Sequence, residues 1–258
     1  MVVFNETEND EHMREIMAPT TTKRVAAERG RADHGWLQAR FTFSFSGYFD
    51  PDHMGFKSLR VMNNDTIQQE GGFPTHPHSD MEIFTYIIEG QLEHRDSLGH
   101  GAVLVPGNLQ YMSAGSGIEH SEFNPSKTEQ THLYQIWLHP NKPGGTPRYM
   151  EKHLAEIAKP NDLTLLYSGD GRDGSTEIRQ DAEIFFGQTE SGDTGADQTV
   201  TVPASEKMSH AWIQVISGNV SVLGESLSTA DGLAVEDANE AFEITATADS
   251  KFLLFRLS

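Results

Sequence analysis

Cysteine is absent from the 258 residues. That excludes disulfides, zinc–thiolate sites and cysteine nucleophiles. No window of about 20 apolar residues occurs either, so no helical membrane span is expected. The N-terminal stretch MVVFNETENDEHMREIM carries acids where a secretion signal would carry lysines, and it lacks an apolar centre; a cytoplasmic location is the expectation. Basic residues are scarce, 19 Lys and Arg against 38 Asp and Glu, for a formal charge of −19. Such a surface repels phosphate backbones and acidic membranes, so no direct nucleic-acid or membrane contact is expected. Beyond that, net charge speaks to solubility rather than to chemistry.

What is present is a long series of short β signals. The length allows one large domain or two of about 100–150 residues. Residues 1–22 read as a flexible, acidic tail. From about Val25 the pattern is strand-like: FTFSFSGYF (41–49) alternates aromatic and small polar residues, and SLRVMNND (58–65) reads as a strand ending in a turn. MEIFTYIIEGQLEHRDSLGH (81–100) reads as strand, turn at Glu89-Gly90, strand, turn. AVLVPG, LQYMSAG and THLYQIWLH continue at roughly ten-residue spacing. Residues 144–161 differ: YMEKHLAEIAK has helical spacing and Pro160 ends it, a connector. Strand signals then resume, with AWIQVISGNVSVLG read as a hairpin about Ser217-Gly218-Asn219. The expected fold is all-β: an N-terminal domain over 23–143, a short helical connector over 144–161 and a second β domain over 162–258, two barrels in tandem.

Two clusters carry the chemistry. In THPHSDMEIFTYIIEG, His76 and His78 are i and i+2, so in a strand they share one face about 6.5–7 Å apart. Pro77 suits this position only at a strand edge or start. Glu82 follows four residues later, in the same strand parity and so on the same expected face. In GSGIEHSEFN, His120 and Glu122 are again i and i+2, after Gly115 and Gly117, which permit a tight turn. If the two strands are neighbours, three imidazoles and one carboxylate face each other. Three nitrogens and one oxygen suit Fe(II), Mn, Co, Ni, Cu or Zn better than Mg or Ca, and leave coordination positions open for a substrate. His94 reads as a wall or surface histidine, and His100 as a solvated turn residue. Phe73, Met112 and Trp137 read as barrel packing, and His132 and His139 as core or edge residues. His210 stands alone in the second half, which is expected to hold no metal.

These motifs resemble the cupin superfamily: His76, His78, Glu82 and Gly90 match its first motif, and Pro106-Gly107, Gly117, His120 and Asn124 its second. Ala114-Gly115 stands where a proline precedes the second motif's glycine in that pattern. RGRADHGWL, FTFSFSGYFDP, MGFKSLRV, THPHSDMEIFTYIIEGQLEHRDSLG, MSAGSGIEHSEFNPS and THLYQIW, in that order, resemble more narrowly the pirin family of bicupins, in particular its bacterial quercetin 2,3-dioxygenases. The similarity runs from about Lys23 to the end.

The resemblance implies two jelly-roll-like cupin barrels, the first with a metal held by His76, His78, His120 and Glu122. Glu82, the ligand in the general cupin pattern, would then stand behind the site. It implies one divalent transition metal per chain, Fe(II) foremost, a flavonol-like aromatic substrate with O2, and Glu122 as ligand and base. The alternative it carries is a metal- or redox-responsive regulator acting through protein partners, as mammalian pirins act in transcription.

Overall fold

The computed structural model describes residues 18–190 and 197–258. Most of the expected tail, residues 1–17, lies outside that range. Thr20–Thr22 do not belong to a tail: Thr20–Arg24 is a strand, paired antiparallel with Gly232–Glu236 in the second half.

Each half consists of a seven-stranded and a four-stranded sheet. In the first half the large sheet runs, edge to edge, Arg148–His153, Asn108–Ser113, Glu82–Glu89, Thr131–Leu138, Leu59–Ile67, Leu37–Phe41, Gly30–Asp33. The small sheet runs Gly72–His78, Ile118–Phe123, Leu92–Asp96, Gly101–Leu104. The second half repeats this plan, with Thr20–Arg24 lent to its large sheet and Gln198–Val202, Phe242–Ala246, Asn219–Val222 and Glu225–Ser228 forming the small one. No helix is long and apolar enough to cross a membrane among the described residues.

Strand parity sorts the side chains into layers. Along Glu82–Glu89, Ile83 and Ile87 point into the first barrel, while Phe84 and Tyr86 join a cluster shared with the second half. That cluster takes Leu109, Tyr111 and Tyr134 from the first half and Tyr167, Phe186, Trp212 and Phe255 from the second. The two large sheets therefore pack face to face, with a small sheet outside each. Inside the second barrel, Val200, Val202, Val220, Val222, Leu227 and Ile244 form an aliphatic core.

Three local expectations change. FTFSFSGYF is not a strand: strand Leu37–Phe41 ends at its first residue, and the rest is a turn-rich excursion tied by Asp50, whose carboxylate accepts from Tyr48 Oη at 2.9 Å. The expected helix YMEKHLAEIAK shrinks to one turn, Leu154–Ile157; Arg148–His153 instead pairs with the free edge of Asn108–Ser113. The Ser217-Gly218-Asn219 turn does not close a hairpin. His210–Ser217 joins the large sheet and Asn219–Val222 the small one, so Gly218 (φ 86°) is a corner. Gly90 (φ 75°) is its counterpart in the first half, between Glu89 and Gln91. A side chain at either would strike backbone: a Cβ on Gly90 would lie 2.2 Å from the Gln130 carbonyl oxygen.

Candidate metal centre

The strand Gly72–His78 is the edge of its small sheet, which is why Pro74 and Pro77, lacking ladder donors, are tolerated in it. It pairs with Ile118–Phe123, and the register sets His76 opposite His120 and His78 opposite Ile118. The register then slips: Glu122 lies opposite Phe73, with one extra residue on the edge strand. Bulges of this kind bend a strand and re-aim its side chains. On the other flank, Leu92–Asp96 sets His94 opposite Glu122 and Asp96 opposite His120.

The three histidines converge. The His76 and His120 ring centroids are 4.5 Å apart, and His78 lies 4.8 Å from each. One nitrogen of each ring lies within 4.8 Å of the others. His76 Nδ1 donates to the Pro74 carbonyl at 2.8 Å, which fixes its tautomer and leaves Nε2 as a lone pair. That Nε2 sits 3.1 Å from His120 Nε2. Burial, reinforced by the neighbouring His120 and His76, lowers His78 to about 4. Burial with His76 and His94 lowers His120 to about 3. Both rings are thus neutral at pH 7 with nitrogen lone pairs available.

Glu122 belongs to a second group that shares His120 and adds His94, again with ligand atoms within 4.8 Å of one another. Its carboxylate accepts from Gln135 Nε2 at 3.1 Å, and the Thr85 hydroxyl lies 3.3 Å away. Burial raises its pKa above the ordinary carboxylate value, against the pull of His94 and His76. A buried, raised carboxyl is the state in which a glutamate holds a proton and gives it up to a cation nearby.

Four sequence expectations are sharpened here. His94 is not a surface histidine: its side chain is fully buried, with Nδ1 3.4 Å from His120 Nδ1 and its ring stacked on Tyr149 at 5.0 Å. Glu82 faces away from the histidines, into the layer between the halves. There it accepts from the Tyr111 hydroxyl, from Ser113 Oγ at 2.6 Å and from the Arg179 backbone N–H at 3.0 Å. The left-handed Asp80 (φ 52°) breaks the strand between His78 and Glu82, so the parity that placed them on one face does not carry across. Trp137 and Phe73 are more than packing: Trp137 stands 5.0 Å from His78 and Phe73 6.2 Å from His76, with Trp36 beyond Phe73 at 5.0 Å. His132 lies on the other face of the sheet, bonded to Asn64 at 2.9 Å.

The sequence reading passed over Asp65, Thr85, Gln135 and Gln110, which line the barrel with Glu122. Asn63, Asp65 and Gln110 each have a buried side-chain atom with no hydrogen-bond partner. The signal for them is a polar residue amid an apolar strand, as in HLYQIW, whereas the polar end of SLRVMNND has the composition of a turn.

The donor set of imidazoles with a carboxylate on facing strands fits a borderline divalent ion. Tandem cupin domains, the first carrying a cluster of imidazoles and a carboxylate that could hold a divalent ion, define a bicupin. The Pirin family profile matches residues 22–138, and the profile of the quercetinase C-terminal cupin domain matches residues 165–257. The chain is 47% identical over 234 residues to the quercetin 2,3-dioxygenase of Escherichia coli (strain K12), covering 91% of this chain and 97% of that protein. It is 39% identical to a pirin-like protein of Caulobacter vibrioides, covering 87% and 94%. The crystal structure of the bacterial pirin YhhW in complex with nickel(II), from Escherichia coli, superposes with a TM-score of 0.85 at 45% identity, covering 92% of this chain and 99% of that one. The protein belongs to the pirin family.

Proposed function

We propose that this protein is a metal-dependent dioxygenase of the quercetinase type, acting on a flavonol-like aromatic enol. His76, His78, His120 and Glu122 would hold the ion. The observation that carries this reading is the convergence of His76, His78 and His120, with Glu122 grouped about the shared His120 and with Trp137 and Phe73 against His78 and His76. The relatives named quercetin 2,3-dioxygenase support the substrate class. When bound, the metal supplies Lewis acidity towards the substrate's oxygens and a place for O2 to react. Fe(II) is the first expectation; the donor set equally accepts Mn, Co, Ni, Cu or Zn.

The chain's own groups do the rest. Trp137 and Phe73 offer flat apolar walls that hold an aromatic ring system by its faces and edges. Glu122, which gives up its own proton when the ion is bound, is assigned the proton of the substrate's 3-hydroxyl, with its carboxylate steadied by Gln135 Nε2 at 3.1 Å. Loss of that proton makes the enolate electron-rich. Addition of one O2 then opens the central ring, and the carbon between the cleaved bonds leaves as carbon monoxide. The second barrel is proposed to carry no metal.

The test is metal analysis of the purified protein followed by oxygen uptake and carbon monoxide release with quercetin. Equal consumption of O2 and release of CO are expected, and Glu122→Gln should lose both the metal and the activity. A metal-loaded protein inert towards all flavonols would remove the substrate and leave the metal reading standing.

A further inference from the structure

The geometry points to Arg179, in the second half of the chain, as a positioning residue for the metal-ligand turns of the first half. This rests on the metal reading above and adds a role for the barrel whose own interior is apolar.

Both ligand strands are reached through irregular turns. One leaves His78 through Asp80 (φ 52°). The other enters Ile118–Phe123 through Gly115 (φ 50°) and Gly117 (φ 141°). The turns are zipped together: Asp80 N–H donates to the Gly115 carbonyl at 2.9 Å, and Ala114 N–H to the Met81 carbonyl at 2.8 Å. A third segment, residues 141–146, lies against both. Gly144 N–H donates to Asp80 Oδ1 at 2.5 Å, and Ser116 N–H to the Gly145 carbonyl at 2.8 Å. The approach is close enough that a Cβ on Gly115 would lie 2.3 Å from that carbonyl oxygen.

Arg179 holds this third segment. Its Nη1 donates to the Gly144 carbonyl at 3.3 Å and to Ser113 Oγ at 3.1 Å, and its Nη2 to the Thr146 carbonyl at 2.5 Å. Its own carbonyl accepts from Asn141 N–H at 2.7 Å. Its backbone N–H is anchored on Glu82, which is itself held by Tyr111 and Ser113. The planar fork thus ties the large sheet of the first barrel to the segment that braces both ligand turns. A lysine offers one point charge and cannot span the Gly144 and Thr146 carbonyls in this way. Partners that orient ligands from behind typically change metal affinity 10–100-fold when removed.

The experiment titrates metal-free protein with cobalt(II) chloride and follows the visible d–d absorption, which reports both affinity and ligand geometry. Arg179→Ala is expected to weaken cobalt binding about tenfold or more and to alter the band pattern, with Arg179→Lys recovering only part of the loss. A purely structural role would lower the melting temperature while leaving the affinity and the spectrum at wild-type values, and that result overturns the proposal. Should Arg179→Ala fail to fold, Asp80→Ala decides, because it removes the acceptor of the Gly144 N–H. It weakens the same brace from the partly exposed side, and wild-type affinity and spectrum there overturn the proposal equally. Wild-type protein that binds no cobalt would sink the metal reading itself, and this inference with it.

Discussion

Asp65 is buried on the inner face of the first barrel, and one of its carboxylate oxygens has no hydrogen-bond partner. Burial first, then the charge of Glu122, pushes its carboxyl up to about 8 from 3.8. The folded state therefore keeps a proton that the unfolded chain releases near pH 4. Across that window the native state binds more protons, so stability falls as pH rises from about 4 to about 8. Asp65→Asn has no proton to lose. In metal-free protein it should gain on wild type at pH 7–8, on the order of a few kcal/mol, and lose that advantage at pH 4, as read by denaturant unfolding at the two pH values. Equal differences at both would show that Asp65 is ionised in the fold. Glu82 gives the opposite kind of prediction. It sits in the layer between the halves, and Glu82→Ala strands a tyrosine hydroxyl, a serine hydroxyl and a backbone N–H. At about 1–3 kcal/mol per stranded buried group, the expected loss is about 3–9 kcal/mol in the same assay.

At the scale of elements, the pairing of Gly72–His78 with Ile118–Phe123 delivers the histidines, and Gly72 permits it. A Cβ there would stand 2.4 Å from the Glu122 carbonyl oxygen, so Gly72→Ala must push the two strands apart. A cost of about 1–3 kcal/mol is expected, with a parallel drop in metal affinity, measured by unfolding and by cobalt titration. The ligand spacing and most strands were legible in the sequence because alternation and HxH spacing are local. What was not legible was decided by partners far along the chain. RYMEKH has helical spacing yet becomes a strand because Asn108–Ser113 offers it an open edge. IIEG and VISG look like hairpin turns because a corner between sheets asks for the same left-handed glycine. Glu82 shares the parity of His78 only if the strand runs unbroken, and Asp80 breaks it. Asn63 and Asp65 looked like the polar end of a strand; they are polar because they face Glu122's side of the barrel.

For the whole molecule, the layer between the large sheets decides how it unfolds. Phe84, Tyr111 and Tyr134 from one half pack in the same cluster as Tyr167, Phe186 and Phe255 from the other. Trp212 rests on Phe43 and Phe56 across the boundary, at 5.1 and 5.9 Å between ring centroids. Separating the halves would expose that apolar layer, at roughly 25 cal/mol per Å². One transition is therefore expected, with tryptophan fluorescence and far-ultraviolet circular dichroism giving the same midpoint in denaturant. Two separated midpoints would mean that the barrels are independent.

The strand Thr20–Arg24 lies against Gly232–Glu236, so Lys23 meets Leu233 some two hundred residues later. On a ribosome that strand is made early and has no partner until nearly the whole chain has emerged. Its hydrogen-bonding edge must wait, unpaired, through most of synthesis. A chain stalled before residue 232 would lack Gly232–Glu236 and Ser250–Leu257, so Thr20–Arg24 would have no strand to join and the second barrel's large sheet would miss two of its inner strands. Final assembly thus waits on Gly232–Glu236, and it ties the start of the described chain to strands some two hundred residues later.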